Sequence, residues 1–582
     1  MDICDSCKDP IDILSFLSGL DGKRLNENNF INYLDFDITK QRQGMVETLA
    51  MESYALHYIG NQIARLKPDS RIILSDGKRR PLDEIIRENG RPAAVFITSM
   101  SSNFPTAVAT TLALNSGRIP VVIGGIHVST SPQDIQRFIL PYTKYSGLIT
   151  QVRGAGDSKV MAEVLSDIGK GRMKKEYTGH ITIEDGNWGA KNIEHMDPLR
   201  MNALKRIPLI GNYMSKKLKV NVTTPYLGCQ YSCNFCSIST LPQKERRFRS
   251  RSPADFIAEL NSFQKDRVDF NTRGFLFLPD NLLFGGRILE EILDEIIASD
   301  LKIDYGAQIS IEVAKNEKLL DKLRQSGATH FYIGLESLDL DNLKYIGKNV
   351  VRNIENSGLS VEEYYSRQIK RIQDKGISIH AAFIIGLPND HFNSLYNHTG
   401  RNIADFCIKN KIGLQLTSFT DLPGSKKFNE SQANGNYIYG RQGTIGYLLS
   451  LCISDLSESN RMPPESLCSS PLVVSYMLVD GIKRACSARM AIRNGLYIAG
   501  KSFACPTKNG LRSLKERFID SACSFASQLI ASQYYDHVES IIYSSKKIKG
   551  LFERLFDNEN DPKVRKIFAD YIKSYKCKDD SY

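Results

Sequence analysis

Thr224-Pro-Tyr-Leu-Gly-Cys229-Gln-Tyr-Ser-Cys233-Asn-Phe-Cys236 sets three cysteines at a Cys-x3-Cys-x2-Cys spacing. A loop of this kind folds three thiolates around one point and supplies no fourth. A structural zinc site needs four closed ligands, and the nearest histidines, His195 and His330, are remote in sequence. An iron–sulfur cube suits the spacing better, because three thiolates hold three irons and leave the fourth open to an outside ligand. Cysteine is a common buried hydrophobe, but buried cysteines are rarely clustered in this way.

The residues around this loop decide the fold. A strand over 220–224 runs into it, and Ser252 is placed to cap a helix over 253–260. Further strands are expected over 274–279, 303–309, 330–335, 378–385 and 412–417, alternating with helical patterns. Six such units predict a partial (β/α)6 TIM-type barrel, whose chemistry belongs at the carboxyl rim of its strands. Asp280-Asn281, Gln308, Glu336-Ser337 and Gly386-Leu-Pro-Asn-Asp390 fall on that rim.

Upstream lies a second alternating series, with helices over 53–66 and 107–114 and strands over 71–74, 93–98 and 120–125. This pattern predicts a doubly wound, Rossmann-like parallel sheet with helices on both faces. Ligands of such sheets sit outside the carboxyl ends of the strands. The residues expected there are Ser99-Met-Ser101-Ser-Asn103, Gly124-Gly125-Ile-His127 through Pro132, and Arg153-Gly154-Ala-Gly156-Asp157. Paired glycines let a ligand approach the backbone closely. The chain therefore divides into an extension over 1–50, an α/β domain over 51–170 and a linker over 171–215. The barrel follows over 216–425, and a mainly helical C-terminal region over 426–582.

Composition bounds the setting. The 582 residues are 42% hydrophobic and 24% charged, as in ordinary globular chains. No basic and apolar leader opens the sequence and no apolar run is long enough to span a bilayer. Twelve cysteines without an export signal read as reduced thiols or metal ligands, so a cytoplasmic protein is expected. The net charge of +11 is concentrated in part in Lys244-Glu-Arg-Arg-Phe-Arg-Ser-Arg251 and in Lys546-Lys-Ile-Lys549. Neither run is interleaved with an aromatic nucleic-acid platform, so no nucleic-acid partner is expected. The first run could hold an anionic substrate or cofactor. Cys407, Cys452, Cys468, Cys486, Cys505 and Cys523 have no close pair and read as buried free thiols.

The cluster loop, with Phe235 just before its third cysteine, resembles that of radical SAM (S-adenosyl-L-methionine) enzymes. Ile333-Gly-Leu-Glu-Ser337, Asp341-Asn-Leu-Lys344 and Lys348 resemble the subfamily that carries an N-terminal cobalamin-binding domain. The strand-end serines, Gly124-Gly125, His127 and Pro132 fit the same subfamily, and Gly154-Ala-Gly156-Asp157 resembles its Gly-x-Gly-Glu turn with Asp for Glu. One departure stands out. Where relatives carry Asp-x-His-x-x-Gly, Asp35-Phe-Asp-Ile-Thr-Lys-Gln-Arg-Gln-Gly44 has no histidine to ligate cobalt from below.

The resemblance implies a [4Fe-4S] cluster on Cys229, Cys233 and Cys236, with SAM on the open iron. It implies SAM contacts from Phe235, Glu336, Ser337, Gln308 and Asp280, and cobalamin contacts from Ser99, Ser101, Gly124, Gly125, His127, Gly154 and Gly156. The chemistry implied is methyl transfer to an unactivated carbon of a small molecule through a 5′-deoxyadenosyl radical and methylcobalamin. An electron donor such as flavodoxin or ferredoxin would be required. Alternatives are cyclisation or rearrangement with the same cofactors, and a non-catalytic cobalamin or iron–sulfur sensor. An RNA methylthiotransferase needs three further cluster cysteines, which Cys4 and Cys7 alone do not supply.

Overall fold

The computed structural model describes residues 54–74, 82–100, 104–179, 193–195, 221–240, 249–264, 274–299, 301–419, 425–434, 470–486, 488–504 and 561–574, with 422, 556, 557 and 559. Ser101, Trp188, the segment 1–50 and the two basic stretches 244–248 and 546–549 lie outside the described residues, as do Cys452, Cys468, Cys505 and Cys523.

The N-terminal sheet is built from strands too short to stand alone, of which Val121–Gly124 is apolar on both faces. Strands β1 (Val95–Thr98), β2 (Val121–Gly124), β3 (Ile149–Arg153) and β4 (Glu176–Thr178) are all parallel and lie in sequential order. Side chains alternate across a strand, so β2 feeds two cores. Val121 and Ile123 join Phe104, Val108 and Leu112 from helix Phe104–Ser116 on one face. Val122 joins Val160, Met161 and Val164 of helix Ser158–Gly169, with Ile59 and Leu66 of helix Tyr54–Leu66, on the other. Helices on both faces make the sheet doubly wound, as expected. The expected linker over 171–215 holds two strands: β4 extends the sheet, and Ile193–His195 pairs in parallel with Ile72–Leu74. Both are three residues long, so neither shows a readable alternation in sequence.

The six barrel strands are β5 (Asn221–Thr223), β6 (Gly274–Phe277), β7 (Asp304–Gln308), β8 (Ala328–Glu336), β9 (Ser378–Ile385) and β10 (Gly413–Ser418). All neighbours are parallel and the order is sequential, the arrangement of an open (β/α)6 barrel. Phe331, Ile333 and Leu335 of β8 belong to the large core beneath the helices. The intervening His330, Tyr332, Gly334 and Glu336 therefore take the opposite, inward face. Helix Val361–Asp374 shows how local sequence sets the layer. Ser360 and Glu363 form a reciprocal capping box, and Val361, Tyr365, Ile369 and Ile372 bury its inner stripe.

The described C-terminal helices continue the barrel's outer wall. Helix Pro471–Ala485, capped by Ser470, packs on β10 and on helix Thr399–Asn410. Helix Ala488–Ala504 packs on Val361–Asp374, and its Ser502 Oγ accepts at 2.7 Å from buried Arg324 of helix Glu317–Gln325. Cys407 and Cys486 are buried in the same core.

Candidate functional site

The loop after β5 is pinned from below before it presents any cysteine. Buried Tyr226 donates its hydroxyl to the Leu282 carbonyl. Gly228 adopts φ +110, open to glycine, and donates its N–H to Asp280 Oδ2 at 2.6 Å. Asp280, expected among the SAM contacts, thus anchors the loop backbone. Tyr226–Leu227 pairs with Arg249–Ser250, and the adjoining Arg251 is fully buried. Its guanidinium bonds Asp255 at 2.5 Å and also Glu259, which accepts from Thr223 as well. Arg251, expected to be available to an anionic ligand, is consumed by this internal network.

The cysteine loop itself closes on local hydrogen bonds. Cys236 N–H donates to Cys233 O at 3.2 Å, and Ser239 Oγ donates to the carbonyls of Cys233 and Cys236 at 2.8 and 2.6 Å. Asn234 is held on several sides. Its N–H reaches Ile346 O at 2.9 Å, its Nδ2 reaches Tyr345 O at 3.0 Å, and its carbonyl accepts from Lys427 N–H at 3.2 Å. Phe235 is half-buried against the barrel core.

Burial pushes all three thiols up, Cys233 to about 11, and Cys229 and Cys233 each sense the charge of Cys236. Among the described residues, no three His, Cys, Asp or Glu side chains gather closely enough to hold a single metal ion. Three thiols in one short loop are the donor set that an iron–sulfur group takes. Binding such a group would displace the thiol protons.

The β8 end supplies the second feature. Its pairing with β9 shifts register between Gly334 and Glu336, and Glu336 takes φ +67, which is strained for a residue with a side chain. The bulge turns the Glu336 carboxylate onto Lys348 Nζ at 2.8 Å, with both side chains largely buried. Burial works against the Lys348 ammonium, but Glu336 and neighbouring Cys233 hold its pKa above the ordinary value. A Cβ on Gly334 would lie 2.2 Å from Glu336 Oε1, so a side chain there would push the carboxylate aside. Ser337 is buried, and its hydroxyl accepts from Asp339 N–H at 3.1 Å and Asn342 Nδ2 at 3.5 Å. Asn342 also donates to Asp390 at 2.9 Å, and Asp390 takes the N–H groups of Gly386 and Leu387. Burial pushes Asp390 up to about 7. Gln308 is exposed at the end of β7.

At the N-terminal sheet the predicted ligand contacts divide. Ser99 is fully buried, and a Cβ on Gly125 (φ +104) would come within 2.4 Å of its carbonyl oxygen. Gly154 N–H donates to Ser129 Oγ at 3.0 Å, which ties two strand-end loops together. A Cβ on Gly156 would meet Ile59 at 2.2 Å, and Gly124 is half-buried at the end of β2. His127 is wholly buried, stacked on Phe104 at 4.0 Å, with Nε2 3.2 Å from Asp134 Oδ2. It braces its loop from within and offers no surface to a ligand. Met100, by contrast, is 61% exposed at the end of β1.

The two sheets meet end to end at this site. Helix Ile126–Thr130, which opens directly from the carboxyl end of β2, lies against the turn Ser237–Thr240 just past the third cysteine. The carboxyl edge of one sheet thus faces the cysteine loop of the other. Asn234, Lys348, Lys427 and Asp390 were not foreseen as site residues. Asn234 lies between two clustered cysteines, Lys348 in the quoted motif and Asp390 on the expected rim, whereas Lys427 carried no local sequence signal.

Comparison with known proteins agrees with this layout. Residues 223–398 match the radical SAM superfamily. Bacteriochlorophyllide d C-12(1)-methyltransferase of Chlorobaculum tepidum is 25% identical over 311 residues, covering 53% of this chain and 59% of that protein. The match thus spans less than two thirds of that relative. The fold is shared with the radical SAM methyltransferase TsrM of Kitasatospora setae, solved with cobalamin and a [4Fe-4S] cluster. The TM-score is 0.51 at 13% identity, over 80% of this chain and 95% of that one. It is shared equally with the cobalamin-dependent SAM radical enzyme OxsB, solved with aqua-cobalamin and SAM. Here the TM-score is 0.51 at 12% identity, over 91% of this chain and 82% of that one.

Proposed function

We propose that this chain, whose residues 223–398 match the radical SAM superfamily, is a cobalamin-dependent radical SAM enzyme that transfers a methyl group to an unactivated carbon of a small molecule. The observation that carries this reading is the meeting of the two carboxyl edges, with Ile126–Thr130 seated on Ser237–Thr240. A cofactor outside the N-terminal sheet and a cluster in the cysteine loop would then share one reaction chamber.

Bound, the cluster with SAM supplies a carbon-centred radical, and cobalamin supplies a transferable methyl group. The chain's own residues bind and orient. Cys229, Cys233 and Cys236 would hold the cluster once their thiols lose protons. Asp280 fixes the approach of the loop through Gly228 N–H. Glu336 and Lys348 present one carboxylate and one ammonium beside Cys233, a pairing matched to SAM's amino and carboxylate groups. Gln308 offers an exposed amide at the same rim, and Ser337 holds the turn behind Glu336. Gly125 and Gly154 shape the loops that receive cobalamin, and exposed Met100 gives that edge an apolar contact. Removal of water by the assembled loops protects a radical from quenching.

Among the described residues no helix is long and apolar enough to cross a membrane. The reading places the chain in the cytoplasm, served by a flavodoxin or ferredoxin. Incubation of the anaerobically reconstituted chain with SAM, reductant and candidate substrates tests it by product mass. A gain of one methylene equivalent supports methyl transfer. SAM cleavage with an unchanged carbon count would favour cyclisation or rearrangement, and no SAM cleavage would favour a sensor.

A further inference from the structure

Helix Lys426–Asn434 follows the last barrel strand and touches both halves of the molecule. Its start is fixed by Ser425, fully buried, whose Oγ accepts from Phe428 N–H at 3.1 Å. One of its first-turn N–H groups, which have no partner inside a helix, is that of Lys427, and it donates to the Asn234 carbonyl between Cys233 and Cys236. The Lys427 ammonium lies 3.9 Å over the Tyr345 ring and bonds Glu430 at 3.0 Å. Tyr345 in turn supplies the carbonyl that holds the Asn234 side chain. Gly347, at φ +67, lies beside Asn234, at ordinary contact distance for an added Cβ. One residue further along the helix, Phe428 is 4% exposed and belongs to a different core altogether. That core is the N-terminal sheet's, with Phe104, Val108 and Val128.

We propose that Lys426–Asn434 is a strap that sets the spacing between the cysteine loop and the strand-end loops of the N-terminal sheet. Lys427 grips the first through Asn234, and Phe428 is buried in the core beneath the second. Both Phe104 and Val128 flank the loop that carries Gly125 and His127. The strap makes no claim on reacting atoms, so Phe428 is a positioning residue. The inference rests on the two-cofactor reading for its purpose, but its mechanical part can be judged without any cofactor.

The test compares the full chain carrying Phe428→Ala with one carrying Phe428→Leu, which keeps an apolar body in the same pocket. Without cofactors, hydrogen exchange in Phe428→Ala is expected to rise roughly tenfold at Lys427, along Ile126–Thr130 and through Ser237–Thr240. Exchange in β8 and β9 stays unchanged, and Phe428→Leu recovers most of the protection. After loading with hydroxocobalamin and a reduced cluster, magnetic broadening between Co(II) and the cluster weakens in Phe428→Ala and returns in Phe428→Leu. Exchange equal to the parent's overturns the strap, as does a rise spread through β8 and β9 in both variants. Raised exchange with unaltered broadening overturns its role in spacing. A parent chain that takes up no cobalamin refutes the two-cofactor reading, and the exchange result then decides the strap alone.

Discussion

Replacing Arg251 by Met keeps the side chain's bulk and removes its charge at the base of the cysteine loop. Arg251 and Glu259 are both fully buried, and Arg251 also holds Asp255. Surface pairs are worth little, but removing one partner of a buried pair leaves a carboxylate with neither water nor counter-charge. In the variant only Thr223 still donates to Glu259. The expected loss is about 3–5 kcal/mol, or roughly 10 °C in the melting of a barrel-sized unit.

The loss also has a sign with pH. Burial already holds the Glu259 carboxyl above its ordinary range while Arg251 pulls it back. Without Arg251 it rises further. A raised carboxyl keeps its stability below the unfolded value and loses it as pH climbs through the folded one, by about 1.4 kcal/mol for every pH unit between the two. The gap between parent and variant should therefore be wider near pH 8 than near pH 5.5. Thermal unfolding of both chains at the two pH values, followed by circular dichroism, measures it. A difference under about 3 °C, or one that narrows toward high pH, refutes the argument that this ion network supports the loop.

Lys348→Met strands the Glu336 carboxylate in the same way, and its expected cost is again about 3–5 kcal/mol, read by denaturant unfolding. Gly334→Ala is milder, because the added Cβ meets the far end of a side chain. It should keep iron yet weaken SAM binding by roughly tenfold, about 1.4 kcal/mol, as measured by calorimetry. Gly125→Ala combines φ +104 with a backbone clash at Ser99. It should cost at least about 2 kcal/mol in the N-terminal unit and abolish cobalamin retention on gel filtration while leaving iron content intact. His127→Gln should leave the Co(II) electron paramagnetic resonance spectrum unchanged, because His127 already faces Asp134 and Phe104. Loss of a nitrogen coupling in that variant would contradict its buried placement.

Elements that repeat a strong period were legible in advance. The parallel strands, their order and the rim positions followed from alternation of apolar runs and turns, and β9 agrees with its expected bounds of 378–385. What escaped were features made by contact between distant segments. Strand β4 is too short to carry a pattern, and it exists because β3 offers it an edge. Asp280 and Ser337 stand on the rim as expected, yet their side chains are taken up by backbone N–H groups nearby. Spacing reveals where a residue stands on a strand but not which neighbour claims it. Lys348 stands in the quoted motif and Phe428 outside it, and only folding brings them to Glu336 and to the N-terminal core.

The central claim is that one chain holds an iron–sulfur cube in Cys229, Cys233 and Cys236 beside a corrinoid in the N-terminal sheet. Anaerobic purification with cobalamin, followed by metal analysis of the parent and of Cys233→Ala, tests it most directly. The account predicts about four irons and one equivalent of cobalt per parent chain, with iron lost and cobalt kept in the variant. Zinc in place of iron, or cobalt that disappears with Cys233, would contradict it.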